Sequence, residues 1–413
     1  MPKSSQQHKR RRSCMQPGVL GTFVAEFEAH LKRLSYTPLT VSGYTDGARH
    51  FAEWLGRSDI AIVDVDDAIA RFARHRCQCS GYRRHNTVSP KYVRRVRRFG
   101  GFLVDCGVAK AAASEAPVVP RHVAEFQIWL RQHRGISEYT IRRHGCMVAR
   151  LLPALGDDPG TYNAELVRRV ILEEAQRISR PYIKTITTAL RGYLRFLAAQ
   201  GLCRPWLDRA VPTVPQWRLS ALPRYLPGPD VERLIASCDL TTSTGIRDKA
   251  VLFLLVRLGL RAGDILGMRL DDVAWDEGTL RVRGKGRREV RLPLPQDAGD
   301  ALLQYLENAR PPSDDNRIFL RSKAPFRPFA GGSVVSHIVH LALQRAGIKD
   351  APSQGANLLR HSAATAMLRA GATLDAVATV LRHRSANMTA HYAKVDIRML
   401  ERVAQPWPGD RSC

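Results

Sequence analysis

The spacing of apolar residues predicts two similar helical regions in the first half of the chain. A Ser or Thr precedes apolar positions at helical spacing in residues 35–44, and the arrangement recurs about one hundred residues later, in residues 136–144. Each copy closes with an amphipathic helix that a glycine follows, in residues 92–103 and 190–197. We infer an internal duplication of one small helical domain.

The pattern then changes, and the second half combines helices with a small sheet. Residues 248–258 form an apolar helical run, whereas residues 279–283 and 289–292 alternate between apolar and polar side chains. The sequence Gly284-Lys285-Gly286 separates the alternating segments, which predicts a β-hairpin with a glycine turn. From Gly332 onward the spacing is helical again.

Alanine and proline content sets the expected domain boundaries. Residues 111–119 are alanine-rich and residues 204–227 are proline-rich, and both are typical of linkers because proline interrupts helices and central strands. The predicted layout is a basic tail (1–18), a helical domain (19–110), a linker (111–119), a second helical domain (120–203), a linker (204–227) and a mixed domain (228–413).

The net charge indicates a negatively charged binding partner. The 413 residues include 64 basic and 38 acidic side chains, a net charge of +26. Only 11 of the basic residues are lysines, which leaves 53 arginines, and the planar arginine fork suits phosphate. This field predicts nucleic acid as the first partner and an anionic membrane surface as the second. A GC-rich genome is an alternative cause of the arginine content.

Several other classes of protein are disfavoured. The sequence has no run of 18 or more apolar residues, and charged residues interrupt the segment after the basic tail, so we expect neither a membrane helix nor a secretory signal. The scattered cysteines predict reduced thiols and a cytosolic protein. His75, Cys77 and Cys79 are a weak zinc pattern, because a second ligand pair at a distance is missing. We predict no metal and no cofactor, with free thiols at this cluster.

Four motifs follow one another in the mixed domain. They are Gly259-Leu260-Arg261-Ala262-Gly263-Asp264-Ile265-Leu266, Gly284-Lys285-Gly286-Arg287, Leu359-Arg360-His361-Ser362-Ala363-Ala364-Thr365, and Leu381-Arg382-His383-Arg384-Ser385 leading to His391-Tyr392. Their order and spacing resemble the catalytic domain of the tyrosine recombinase (phage integrase) family, over roughly residues 225–405. The preceding regions resemble that family's core-binding domains. The expected fold is mainly α with a small β-sheet: two SAM-like helical DNA-binding domains, then a mixed α+β catalytic domain.

The resemblance implies a role for each motif residue. Tyr392 is the nucleophile that attacks a DNA phosphate, and Arg261 and Arg360 clamp the oxygens on which negative charge develops. His383 donates a hydrogen bond to the same phosphate. Lys285 protonates the leaving 5′ oxygen, a step for which lysine suits better than arginine because arginine keeps its proton.

One position departs from the family pattern. The family usually has a histidine three residues before the second arginine, as a candidate acceptor of the tyrosine proton, and here that residue is Asn357. An amide cannot take a proton at neutral pH. Either water or another group accepts the proton, or turnover is slow. We assign supporting roles to Asp264, which orients Arg261 or its neighbours, and to His361.

The implied activity is site-specific strand transfer on double-stranded DNA without metal or ATP. The family acts as four protomers on two duplexes, so we expect a tetramer on DNA, alone or with partner recombinases, and no membrane. Apolar residues after Tyr392 predict a helix that docks on a neighbouring protomer or on its own domain. Two alternatives stay open: a relaxing enzyme like type IB topoisomerases, and a DNA-binding, weakly active or regulatory family member.

Overall fold

The described part of the chain is mainly helical and contains a three-stranded sheet, as the sequence predicted. A computed structural model describes residues 20–58, 64–75, 89–110, 120–215, 222–284, 289–383, 385–395 and 400–401. Contacts group the chain into two compact units, residues 112–218 and the remainder. None of the helices in the described ranges is long and apolar enough to cross a membrane.

The first helical region surrounds its own apolar core. Asp64 and Ser89 begin two of its helices, because their side-chain oxygens accept backbone N–H groups of the first turn. Phe27, Phe51 and Phe99 are fully buried in the core. The helices are α1 (Gly21–Arg33), α2 (Pro38–Ser58), α3 (Val65–Phe72) and α4 (Pro90–Asp105).

The second helical region has the same order of elements around a separate core. Ser137 caps its second helix by accepting the backbone N–H of Thr140. Gly107 and Gly201 follow the last helix of each region with φ of 73° and 70°, a left-handed conformation that stops a helix, as the pattern predicted. The helices are α5 (Arg121–Arg134), α6 (Glu138–Leu155), α7 (Ala164–Arg177) and α8 (Arg180–Ala199).

The structure describes the second predicted linker in part and the first one not at all. Residues 111–119 lie outside the described part of the chain. The described portions of 204–227 contain a short 3-10 helix, Leu207–Ala210, and neither an α-helix nor a strand. Leu207 is buried in the second helical core, so the beginning of this segment packs on that region. The domain boundaries themselves remain a prediction.

The third region packs its helices around α10, whose buried leucines and valines form the centre of the core. Thr242 caps α10 through its hydroxyl. The helices are α9 (Gly228–Ala236), α10 (Ser243–Arg257), α11 (Ala262–Gly267), α12 (Gln296–Asn308), α13 (Gly332–Arg345), α14 (Ala356–Arg369), α15 (Leu374–Val380) and α16 (Ala386–Thr389).

The sheet contains the predicted hairpin. Strands β1 (Val273–Ala274), β2 (Thr279–Arg283) and β3 (Glu289–Pro293) pair antiparallel in chain order. Leu280 faces Leu292 across the pair, and both are buried against the core. The alternation therefore places one face of β2 inward and its arginines on the other. Lys285 lies outside the described residues.

Candidate active site

A sharp turn between α10 and α11 places Arg261. Gly259 adopts a left-handed φ of 56°, and a Cβ at this position would lie 2.5 Å from the Leu381 side chain, so only glycine fits. Arg261 then begins α11, and its backbone N–H donates to the Asp264 carboxylate over 2.8 Å. Asp264 thus fixes the start of the short helix that holds the first motif arginine.

Arg360 lies on α14 and is only 6% exposed. Its Nη1 donates to the Gly259 carbonyl and its Nη2 to the Leu381 carbonyl. Burial, together with the charges of Arg261 and Arg382, lowers the pKa of the Arg360 guanidinium to about 10. The group stays protonated at neutral pH, and its charge is poorly neutralised by its surroundings.

The turn from Leu381 to His383 joins these arginines. Arg261 Nη2 donates to the Arg382 carbonyl over 3.4 Å, while Arg360 binds the preceding carbonyl. The Arg382 guanidinium donates in turn to Asp264 over 2.6 Å. The turn that carries His383 is therefore bound to both motif arginines.

His383 is a neutral imidazole in this pocket. Burial and the charges of Arg360 and Arg261 lower the pKa of His383 to about 4. Its Nδ1 forms a 2.8 Å hydrogen bond with the Thr389 hydroxyl. The ring lies parallel to the Tyr392 ring, with 6.2 Å between centroids. A neutral histidine retains one N–H that can donate to a phosphate oxygen.

Tyr392 lies on a 3-10 segment, Ala390–Val395, which begins directly after α16 ends at Thr389. It is 2% exposed and packs in a small apolar cluster with Leu368, Val377 and Leu381. Burial raises the pKa of the Tyr392 phenol, and the charges of Arg360 and Arg261 oppose that shift. The phenol is therefore protonated at neutral pH and needs a proton acceptor to become a nucleophile.

His361 is the residue that sequence reasoning undervalued. Its Nδ1 lies 2.7 Å from the Tyr392 hydroxyl, and burial, His391 and Arg360 lower its pKa, so the ring is neutral and able to accept a proton. Asn357 is exposed on the first turn of α14 and has no hydrogen bond to the described pocket residues. The available signal was the four-residue spacing, which places His361 one helical turn beyond Asn357.

The remaining predictions have distinct outcomes. Asp264 contacts the backbone of Arg261 and the side chain of Arg382. Lys285, Cys77 and Cys79 lie outside the described residues, and so does most of the segment that follows Tyr392. The described part of the chain contains no cluster of ligands that could hold a metal.

Known proteins resemble this chain along most of its length. Residues 224–398 match the Phage integrase family. A Sinorhizobium fredii protein, named as integrase/recombinase y4rA, is 36% identical over 407 residues, 95% of this chain and 96% of that protein. The tyrosine recombinase XerA of Thermococcus kodakarensis is 29% identical over 286 residues, 68% of this chain and 94% of its own.

Solved structures share the fold. A post-cleavage complex of the XerH site-specific recombinase with palindromic difH substrate has a TM-score of 0.55 at 16% identity, covering 86% of this chain and 95% of that one. A lambda integrase tetramer bound to a Holliday junction also has a TM-score of 0.55, at 14% identity, covering 81% and 93%. The fold and pocket define a tyrosine-type DNA strand transferase. The chain belongs to the tyrosine recombinase (phage integrase) family.

Proposed function

We propose that the protein is a site-specific recombinase that cuts and rejoins double-stranded DNA through a 3′-phosphotyrosyl bond to Tyr392. One observation carries the proposal: the Tyr392 hydroxyl lies 2.7 Å from His361, beside two arginines whose charges act on the same phenol. A nucleophile, a neutral proton acceptor and a cationic phosphate clamp are the groups that attack on a phosphodiester requires.

The steps balance without metal or ATP. The Tyr392 oxygen bonds to the scissile phosphorus as its proton passes to His361 Nδ1. Arg261, Arg360 and the neutral N–H of His383 hold the nonbridging oxygens, on which charge increases. The bond to the 5′ oxygen breaks, and that oxygen takes a proton from Lys285, the role that the family resemblance assigns. A 5′ hydroxyl from the partner strand reverses these steps and rejoins the DNA.

We extend the proposal to partners and place of action. XerH is described bound to its difH substrate, and lambda integrase as a tetramer on a Holliday junction. This protein accordingly binds specific DNA sites and assembles there as a tetramer, alone or with partner recombinases. Its net charge of +26 supports contact with DNA phosphates. The bacterial cytoplasm, where its DNA lies, is its proposed location.

A suicide-substrate assay tests this function. A nicked duplex from the ends of the DNA element that encodes the gene traps the covalent intermediate, because the cleaved strand end diffuses away. The wild type is expected to form a protein–DNA adduct that resists denaturant, and Tyr392→Phe to form none, because its side chain has no oxygen to attack phosphorus.

A second tyrosine provides the matched control. Tyr305 is also buried, and among the described residues its hydroxyl accepts the backbone N–H of Leu320, far from the motif arginines in sequence, so Tyr305→Phe is expected to retain the adduct. An adduct that persists in Tyr392→Phe contradicts the choice of nucleophile. Relaxation of supercoiled DNA that lacks any specific site favours the topoisomerase-like alternative, and DNA binding by the wild type without an adduct favours the regulatory one.

A further inference from the structure

Arg382 combines three unusual properties. Its φ of 55° is left-handed, a region that residues with a Cβ seldom adopt. Its side chain is 8% exposed. Nη2 donates to Asp264, but Nε and Nη1 have no hydrogen-bond partner among the described residues. A buried arginine usually has most of its five N–H groups satisfied.

These properties are costly. A residue with a Cβ meets a steric clash in the left-handed region, and each buried donor without a partner loses the hydrogen bond that it would make to water. Arg310, in the same domain, shows the ordinary structural case: its guanidinium donates to the carbonyls of Asp315, Arg317 and Ile318. The hydrogen bonds of Arg382 do not account for its buried position. Its positive charge, placed against Asp264, does. Strain of this kind concentrates at functional sites.

The position of Asp264 shows what that charge does. Its carboxylate lies three residues after Arg261 and is 6% exposed, so without a partner it would attract the nearest guanidinium of the phosphate clamp. Instead, Nη2 of Arg382 donates to this carboxylate over 2.6 Å. The Asp264 side chain can then hold the backbone of Arg261 without neutralising its guanidinium.

We propose that Arg382 is a positioning residue that neutralises Asp264 and so keeps Arg261 and Arg360 available to the scissile phosphate. This inference rests on the proposed strand-transfer function and assigns a role to a motif residue that had none. Three buried or half-buried arginines then face one carboxylate, Asp264, within the described pocket. The clamp keeps a surplus of positive charge for an anion that gains negative charge during attack.

The test compares two substrates with one variant. Arg382→Met keeps an unbranched, flexible side chain and the same backbone strain but removes the charge. Single-turnover cleavage of the ordinary phosphodiester is expected to slow about tenfold, because the freed Asp264 neutralises part of the clamp. A suicide substrate with an uncharged methylphosphonate at the scissile position needs less positive charge, so its cleavage is expected to slow by less than about twofold.

Two further variants separate charge from structure. Asp264→Asn combined with Arg382→Met removes both charges, and we expect it to cleave the phosphodiester at least about threefold faster than Arg382→Met alone. Arg310→Met is the control for a structural arginine. It is expected to lower the melting temperature while leaving the ratio of phosphodiester to methylphosphonate rates unchanged.

The outcomes distinguish this inference from the function on which it rests. A wild-type chain that forms no adduct contradicts the function. A wild type that forms the adduct while Arg382→Met matches it, or slows on both substrates equally, overturns only the role of Arg382. Should Arg382→Met fold poorly, Arg382→Lys retains the charge and is expected to stay within about threefold of wild type on the phosphodiester.

Discussion

Two places in the third region use the same local arrangement of arginine and aspartate. At Arg261 and again at Arg269, the backbone N–H of the arginine donates to an aspartate three residues later, over 2.8 and 2.9 Å. Each aspartate also binds a guanidinium that is distant in sequence: Asp264 binds Arg382, and Asp272 binds Arg281 over 2.9 Å.

The charges around the two aspartates differ. Asp272 receives the guanidinium groups of Arg281 and Arg283, and Arg283 also pairs with Glu289 across the hairpin. Those arginines are about one third exposed, so water solvates them. Around Asp264 the arginines are more deeply buried and outnumber the described acidic partners. The local arrangement of arginine and aspartate therefore does not by itself indicate a functional site. An excess of buried positive charge indicates one.

Neutralising each aspartate is the most direct test of the difference between the two clusters. Asp272→Asn is expected to lower the free energy of unfolding by about 2 kcal/mol, since two guanidinium groups lose a buried partner but remain partly solvated. Its cleavage rate per folded molecule should not change. Asp264→Asn is expected to reduce single-turnover cleavage about tenfold, because the charge of Arg382 is no longer neutralised and repels the Arg360 guanidinium away from the scissile phosphate.

Chemical denaturation and suicide-substrate kinetics on both variants measure these effects. Equal losses of cleavage in Asp264→Asn and Asp272→Asn would show that the two clusters do not differ in function. Asparagine can still accept the backbone N–H at each position, so the short helices retain their first hydrogen bond.

A smaller effect is expected from anions. Excess positive charge in the Asp264 pocket should bind sulfate, which resembles a phosphate with two negative charges. At ten times its dissociation constant, sulfate would stabilise the folded chain by about 1.4 kcal/mol. The rise in melting temperature relative to sodium chloride of equal ionic strength measures it. Arg360→Met should lose most of the increment and Arg281→Met should keep it. Identical increments in the two variants would place the bound anion elsewhere.

The smallest effect concerns pH. The groups that contact Asp272 are two arginine side chains and a backbone N–H, whereas the Asp264 pocket adjoins a histidine, His361. Because the pKa of His361 is below its usual value, more than half of this histidine is neutral at pH 6.5. The cleavage rate should therefore be level above pH 7, lose less than about twofold at pH 6.5, and fall further in acid as His361 becomes protonated.

Rate profiles of two variants check the assignment to His361. In His361→Gln the plateau should drop and the acidic decline should disappear. Asn357→His should leave the profile unchanged, because position 357 is exposed and the proposed acceptor, His361, lies 2.7 Å from the Tyr392 hydroxyl. A faster Asn357→His would mean that the wild type lacks an effective base.

The sequence anticipated elements whose pattern is local. The hairpin, the apolar helix α10 and the glycines that end α4 and α8 follow from alternation, helical periodicity and left-handed turns. The four motifs, taken in order, identified the family and therefore the pocket. Packing decided the rest. At Thr389 helix α16 ends, and the chain turns into a 3-10 segment that buries the Tyr392 phenol.

Contacts between distant residues escaped prediction. No spacing rule pairs His361 with Tyr392, 31 positions away, or Arg382 with Asp264, 118 positions away. The sequence showed arginine 53 times, and only burial and unsatisfied donors distinguish Arg382 from the solvated majority. The sequence predicted only that Asp264 orients Arg261 or its neighbours, whereas the guanidinium that Asp264 binds, Arg382, belongs to the fourth motif.

The contacts that hold the Arg360 side chain affect how the sequence of such a protein can evolve. Its guanidinium is held by the main-chain carbonyls of Gly259 and Leu381, which every amino acid possesses. Mutations at most surrounding positions therefore leave the orientation of the Arg360 side chain unchanged, provided that residue 259 remains glycine. A lineage could exchange its DNA-reading surfaces and acquire new target sites while the chemistry passes unaltered to its descendants.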